Sequence, residues 1–503
     1  MNSHALALRF LLPIAAFLAA TPVLAAAPAP KGCQYQLLAT LPVRYTGPSL
    51  SLTIEGQING TPAQMLVDTG AQGSMLTRTG TERRKLQRHL SDERWTGIGG
   101  ETQMYTAWVK EFRAGPTVTT DEYLRVLGET GRPPSHDAIV GAPFLLQTDL
   151  EISLATREIR FFKPDGCKNA MLAYWTQDPI EIPFTASDWR DPNPEFKVLL
   201  NGKEVTAIID TGADTTVITR KAAEQAGLKL DAPGVERGDD VVGIGRRSVP
   251  LWHTTLDRLQ IGRQSIRNAE VGVIDTIHLG VDVLLGADFL RSHRVLFAMS
   301  QRKLYFTYVG GEPLGQRRRI EPWMQQEADA GNGDAQLALA WMFQRGQGVP
   351  ADQDRAKALI RKAADGGNAD ANIQIVRELI DGGEHADAAR RMQAILERMP
   401  EDRYAALWLY LARMHGGDAA LAQSGLAAAF KPYPTRWPAP IADFYLGKLG
   451  EEALLERSRA NNGLAEGRAC QALFFVGRYH LAAGDAARAA QFTERVAQCR
   501  ESE

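Results

Sequence analysis

The chain has 503 residues, 44% apolar and 23% charged, with a formal net charge of −2. At roughly 150 residues per domain this length fits about three domains, and the composition is that of a globular protein. The near-neutral balance gives no basic face for nucleic acid.

Residues 1–25 read as a targeting segment: Arg9, then an apolar run from Phe10 to Ala20 broken by Pro13, then the small-residue end Val23-Leu24-Ala25. The run is short and Pro-interrupted for a membrane span of about 20 residues. The expectation is a bacterial secretory signal, no stable anchor after cleavage, and a periplasmic or secreted mature chain. Export makes four cysteines legible. Cys33 and Cys167 bracket one part of the chain and Cys470 and Cys499 another, so two disulfides in those pairings are expected. No Cys-x-x-Cys or Cys/His spacing favours a metal.

Two stretches of the chain echo each other. Asn59-Gly60 leads through Met65-Leu66-Val67 into Asp68-Thr69-Gly70-Ala71, and Asn201-Gly202 leads through Ala207-Ile208-Ile209 into Asp210-Thr211-Gly212-Ala213. Asn-Gly between apolar runs signals a hairpin with a two-residue turn, so each copy reads as strand, turn, strand, aspartate. Further landmarks repeat. Gly97-Ile98-Gly99-Gly100 aligns with Gly243-Ile244-Gly245, and Ile139-Val140-Gly141 aligns with Leu284-Leu285-Gly286. The offsets are 142 (210−68), 146 (243−97) and 145 (286−141), which indicates duplication of a whole unit. Residues 33–167 and 178–310 are the two copies. The Pro-rich stretch with Glu181, Asp188 and Asp191 reads as their connector.

Two carboxylates that face each other share one proton, because like charges so close do not both ionise. One then acts as base on a water while the other donates to a carbonyl. The pattern apolar-apolar-Asp-Thr-Gly-Ala resembles the signature of the retropepsin-like aspartic proteases, and here one chain carries both halves. The resemblance covers about half of the chain. It implies two mainly-β lobes forming a pseudo-dimer, with Asp68 and Asp210 as the catalytic pair and Thr69, Gly70, Ala71, Thr211, Gly212 and Ala213 supporting it. It further implies flap hairpins at Gly97–Gly100 and Gly243–Gly245, and loops at 139–141 and 284–286 that brace the aspartates. Asp214 follows the second motif as a substrate-binding residue, whereas the first copy has Gln72, so the two sides of the cleft are expected to differ. Alanines 71 and 213 cannot donate a side-chain hydrogen bond to an ionised aspartate. The pair is therefore expected to hold its proton to higher pH, with activity from mildly acidic to neutral conditions.

His136, His253, His278 and His293 show no mutual spacing for a metal or triad and read as structural or solvated. After the charge run Gln316–Arg319, residues 320–503 turn Ala- and Leu-rich with helical periodicity. The segment from Gly333 to Val349 with Asp354 to Ala364 resembles a Sel1-like repeat, and Arg478 to Ala490 resembles a tetratricopeptide-like hairpin. Such repeats stack into an all-α solenoid. The combined expectation is an exported endopeptidase that needs no cofactor, acts on polypeptides, and recruits a substrate or partner through its helical repeats. The alternative is a non-catalytic periplasmic peptide-binding adaptor.

Overall fold

The computed structural model describes residues 32–128, 134–185, 192–238, 240–241, 243–244, 248–276, 280–314, 319–432, 435–459 and 465–500. The targeting segment, His278, Asp188, Asp191 and Gly245 lie outside the described residues.

The Asn-Gly turns form as expected. Asn59 and Gly60 have φ of 52° and 74°, Asn201 and Gly202 of 48° and 83°, the left-handed pair that a two-residue hairpin requires and that Asn and Gly adopt at least cost. They join Ser51–Ile58 to Thr61–Asp68, and Phe196–Leu200 to Lys203–Ile209. In each lobe the strand that carries the aspartate then pairs in parallel with a later strand, Ala138–Gly141 or Val283–Leu285. A short segment just past the aspartate pairs antiparallel with that same later strand. Each aspartate thus emerges at the end of a strand clamped on both sides. The alternation of buried residues in Gly100–Ala114 and Leu251–Ile261 fits sheets with one face on a core.

A third sheet joins the lobes. Lobe 1 contributes Gln34–Pro42, Glu158–Asp165 and Asp149–Ser153; lobe 2 contributes His293–Ala298, Lys303–Tyr308 and Ile180–Pro183. Its centre is the antiparallel pairing of Asp149–Ser153 with His293–Ala298, so the two lobes share backbone hydrogen bonds as well as side-chain contacts. Part of the expected connector is therefore a strand: Ile180–Pro183 closes one edge of this sheet, where a proline at the strand end costs no ladder bond. Cys33–Cys167 ties the opposite edge, and Cys470–Cys499 ties the last two helices, both as expected.

From Pro322 the chain is helical, eleven helices among the described residues. Two side-chain devices recur 36 residues apart. Asn332 and Asn368 cap helices by accepting from backbone N–H groups, and the Gln336 and Asn372 amides donate to the carbonyls of Ala328 and Ala364. These bonds satisfy the orphan donors and carbonyls that helix ends leave. The first helices do not stand apart from the lobes. Met324, Ala328, Ala335, Leu339 and Met342 belong to the same buried cluster as Tyr45, Leu50 and Leu52 of lobe 1. The polar link also runs there: the Gly47 N–H donates to Asp334 at 2.7 Å, and the Asn332 amide to the Tyr45 carbonyl at 2.9 Å. Among the described residues no helix is long and apolar enough to cross a membrane.

Candidate active site

Asp68 and Asp210 meet at the junction of the lobes, each carboxyl group set against the glycine that follows the other. What brings them together is the glycine that follows each. A Cβ on Gly70 would lie 2.4 Å from Asp210 Cγ, and a Cβ on Gly212 would lie 2.5 Å from Asp68 Cγ. Only glycine leaves room for the opposite carboxylate. The threonines between lock the approach. Thr69 donates its hydroxyl to the Ile209 carbonyl at 2.7 Å and accepts the Thr211 N–H at 3.1 Å. Thr211 reciprocates, donating to the Val67 carbonyl at 2.7 Å and accepting the Thr69 N–H at 2.9 Å. All four bonds are buried, and each strand end is thereby satisfied by the other lobe.

The bracing loops lie directly behind. The N–H groups of Ala142 and Ala287 donate to the carbonyls of Ala71 and Ala213 at 2.9 and 2.8 Å. A side chain at Gly141 or Gly286 would strike backbone at 2.6 Å, which explains glycine at both positions. Here the copies differ. The Gly286 N–H donates to Thr216 Oγ1, and Thr216 is in turn held by Asp288 through its N–H at 2.9 Å and its hydroxyl at 2.7 Å. Lobe 1 has Ser74 Oγ accepting the Gly141 N–H and Pro143 where lobe 2 has Asp288. Burial pushes the Asp288 carboxyl up to about 6.

The Gly97–Gly100 tip of lobe 1 and Ile244 of lobe 2 meet each other. The Gly99 N–H donates to the Ile244 carbonyl at 3.0 Å. Each tip reaches across to the other lobe's wall. Ile244 packs against the cluster of Leu66, Ala71, Met75, Met104 and Ile139, and Ile98 against Ile208, Val217, Val249, Ile274 and Leu284. Trp95, on the lobe 1 hairpin, lies on the first cluster with Arg125 stacked over its ring at 4.9 Å.

Both carboxyl groups are pushed up from the usual carboxylate range, first by burial. Asp68 is raised further by the charge of Asp210 facing it. Asp210 is held back by backbone N–H donors, Gly212 first at 2.8 Å. The two carboxyl groups therefore hold one proton between them, and any apparent pKa values belong to the pair.

Asp214 accepts from the Ser51 hydroxyl of the other lobe at 3.4 Å. Ser51, Ser74, Thr216 and Asp288 were not singled out from the sequence. A position-by-position comparison of the two copies would have flagged Asp288 against Pro143 and Thr216 against Ser74. Of the expected histidines, His293 is fully buried, with Nδ1 beside the Phe289 carbonyl and Nε2 beside Gln264, a structural role.

The chain resembles known proteins in the same region. Two solved structures align with 55% of it at 13% identity: an aspartic proteinase from Irpex lacteus, of which 98% is covered with a TM-score of 0.35, and Basic 7S globulin from soybean, of which 95% is covered with a TM-score of 0.30. Residues 54–144 and 196–289 each match the family model described as aspartyl protease, one match on each lobe, so the chain carries a tandem pair of aspartyl-protease-like lobes followed by a helical domain.

Proposed function

We propose that the chain is an aspartic endopeptidase whose catalytic pair, Asp68 and Asp210, lies within one polypeptide. The single observation that carries this reading is the approach of two carboxyl groups across the seam of the lobes, each filling the space that the other copy's glycine leaves open. An extended peptide lies beneath the Gly97–Gly100 hairpin and the Gly243-Ile244 segment that meets it, gripped as a strand through its main chain. Asp210 takes a proton from water, and that water's oxygen bonds to the scissile carbonyl carbon. Asp68 gives its proton to the carbonyl oxygen, forming a gem-diol. Collapse breaks the C–N bond, returns a proton to the pair, and delivers another to the departing amine. The exchange balances without a covalent intermediate or a cofactor. Asp214 contacts substrate main chain on one side only.

The two disulfides fit an oxidising compartment, and the reading includes export through residues 1–25, checked by N-terminal sequencing of the mature chain. The helical domain, read as Sel1-like and tetratricopeptide-like repeats, recruits a protein substrate. Its groove of about 600 Å³, lined by Arg377, Phe474, Leu481 and Val496, offers an apolar floor for this. Leu481→Asp is expected to slow cleavage of a protein substrate and leave a short peptide unaffected.

The decisive experiment compares the full-length chain with Asp68→Asn and Asp210→Asn on an unfolded protein substrate. Both variants are expected to lose all cleavage, and a transition-state-mimicking aspartic-protease inhibitor to block the parent. Wild-type rates in either variant would end the reading; tight peptide binding without cleavage in the parent would favour the adaptor instead.

A further inference from the structure

Duplication provides an internal comparison for what the helical domain does to the catalytic pair. Each lobe follows its aspartate with the same six-residue helix, Arg78–Arg83 in lobe 1 and Arg220–Gln225 in lobe 2. Each helix carries an Arg–Glu pair four residues apart, at 2.8 Å in lobe 1 and 3.0 Å in lobe 2. In lobe 2 the side chains of that pair are 47% and 58% exposed; in lobe 1 they are 12% and 5% exposed. The helical domain covers the lobe 1 helix, and Glu82 there also takes Arg403 at 2.7 Å and Arg436 at 3.3 Å.

The substitution that matters is at the helix end. Where lobe 2 has Gln225, lobe 1 has Arg83. Its Nε donates to Glu401 of the helical domain at 2.6 Å and its Nη1 to Asp137 at 2.9 Å. Asp137 is the hinge of the brace. Its other carboxylate oxygen accepts the Gln64 N–H at 3.1 Å, its own N–H donates to the Gln64 carbonyl at 2.7 Å, and its carbonyl accepts the Thr77 N–H at 2.9 Å. The next residues, Ala138–Gly141, run parallel to Met65–Asp68, with Gly141 opposite Asp68. In lobe 2, Asp282 makes the same three kinds of bond, with Thr206 and Thr219. Among the described residues it receives no cation from the helical domain.

We infer that Glu401, acting through Arg83 and Asp137, is a positioning residue for Asp68. The helical domain then reaches the brace of one half of the pair through an ion pair for which the Asp282 brace of the other half has no equivalent among the described residues. A guanidinium held by carboxylates of two domains is fixed in plane and direction, which a point charge would not be. Asp137 is anchored through both backbone and side chain, so a change in Arg83 is passed to the strand beside Asp68 instead of being absorbed in a loose side chain. This inference rests on the proteolytic reading above for its kinetic consequence, and not for its structural one.

The test uses the full-length chain and a short peptide substrate that cannot reach the helical groove. Glu401→Gln is expected to lower kcat about 5- to 20-fold with KM within about twofold, in the range that sub-ångström misplacement of a catalytic group produces. The apparent pKa values of the kcat profile should move with it. Arg83→Gln should match it, and Arg83→Lys should recover part of the loss. Glu224→Gln, on the lobe 2 helix at the position matching Glu82, should leave kcat and its pH profile unchanged. A carbon-13 titration of the aspartate carboxyls, which needs no turnover, should show the pair's titration displaced in Glu401→Gln and unmoved in Glu224→Gln. Unchanged kcat, pH profile and carboxyl titration in Glu401→Gln, with only a lower unfolding temperature, would overturn the inference. A parent chain that fails to cleave would sink the proteolytic reading alone, and the carboxyl titration would still decide the coupling.

Discussion

Gly70 of one lobe and Asp210 of the other approach so closely that a single added methyl would stand 2.4 Å from the carboxyl carbon, and Gly212 stands in the same relation to Asp68. The aspartates therefore occupy space that each partner's glycine leaves empty. Gly70→Ala is expected to displace the Asp210 carboxylate without displacing any backbone. Loss of at least about 100-fold in kcat follows if the pair tolerates no more misalignment than other catalytic groups do. Thermal unfolding should change little. Activity within tenfold of the parent would show that the pair does not need this spacing.

The crossed threonines make a separate prediction. Thr69→Val removes the donor to the Ile209 carbonyl and the acceptor for the Thr211 N–H, both buried. Two unsatisfied groups at about 1–3 kcal/mol each amount to a loss of roughly 2–6 kcal/mol. Thr69→Ser keeps the hydroxyl and should restore most of it. Urea unfolding of the three chains measures this directly; equal midpoints for Val and Thr would mean that the crossed bonds add nothing to stability.

The pH dependence of activity follows from the direction in which the pair is shifted. Turnover needs one proton on the pair. Activity falls as pH rises past the higher apparent pKa, when the pair loses its shared proton, and falls again as pH drops past the lower one, when it gains a second. Burial and the facing carboxylate push Asp68 well up, so the alkaline limb should lie above the usual carboxylate range. The Gly212 N–H already donates to the Asp210 carboxylate at 2.8 Å, and Ala213→Ser, one residue on, would add a hydroxyl donor. A neutral hydrogen bond of about 0.5–1.5 kcal/mol corresponds to a downward displacement of roughly 0.4–1 pH unit in the profile. A profile that stays in place, or moves up, would contradict this account of the pair.

The parts of this molecule legible in the sequence are those governed by local chemistry and repeated. Asn59-Gly60 and Asn201-Gly202 demand left-handed backbone, and the glycines of the aspartate and brace loops exclude side chains, so spacing alone located them. The shared sheet had no such mark. Asp149–Ser153 and His293–Ala298 are each ordinary strands, and nothing in either announces a partner more than 140 residues away. The docking of the helical domain was hidden for a related reason. Arg83, Glu82 and Glu401 read as solvated charges until the surface that buries them is known, although Arg83 against Gln225 was a visible break in the duplication. The charge run read as a linker is followed directly by helices whose apolar faces join the lobe 1 core, and periodicity tells that a face is buried without telling against what.

His293 gives a prediction about stability instead of catalysis. It sits in the strand at the centre of the shared sheet, fully buried between Phe289, Phe306 and the Gln264 amide. Burial pushes its pKa down to about 4 from an ordinary value near 6.5. The unfolded chain therefore binds a proton between pH 6.5 and 4 that the folded chain does not, so this contribution is fully present above 6.5 and is lost as pH falls toward 4. Over that window the group adds up to about 1.4 kcal/mol of slope per pH unit. Asp288, whose carboxyl is raised to about 6, works in the opposite sense over much of the same range, so the slope must be read as a difference between two chains. His293→Gln loses a ring that stacks on Phe289 and is less stable at every pH, but its stability should fall less steeply than the parent's between pH 6.5 and 4. Denaturant unfolding at half-unit pH steps separates the two effects. Parallel curves for parent and variant would show that His293 titrates alike in the folded and unfolded chains, and that its burial sets no pH limit on the sheet that joins the lobes.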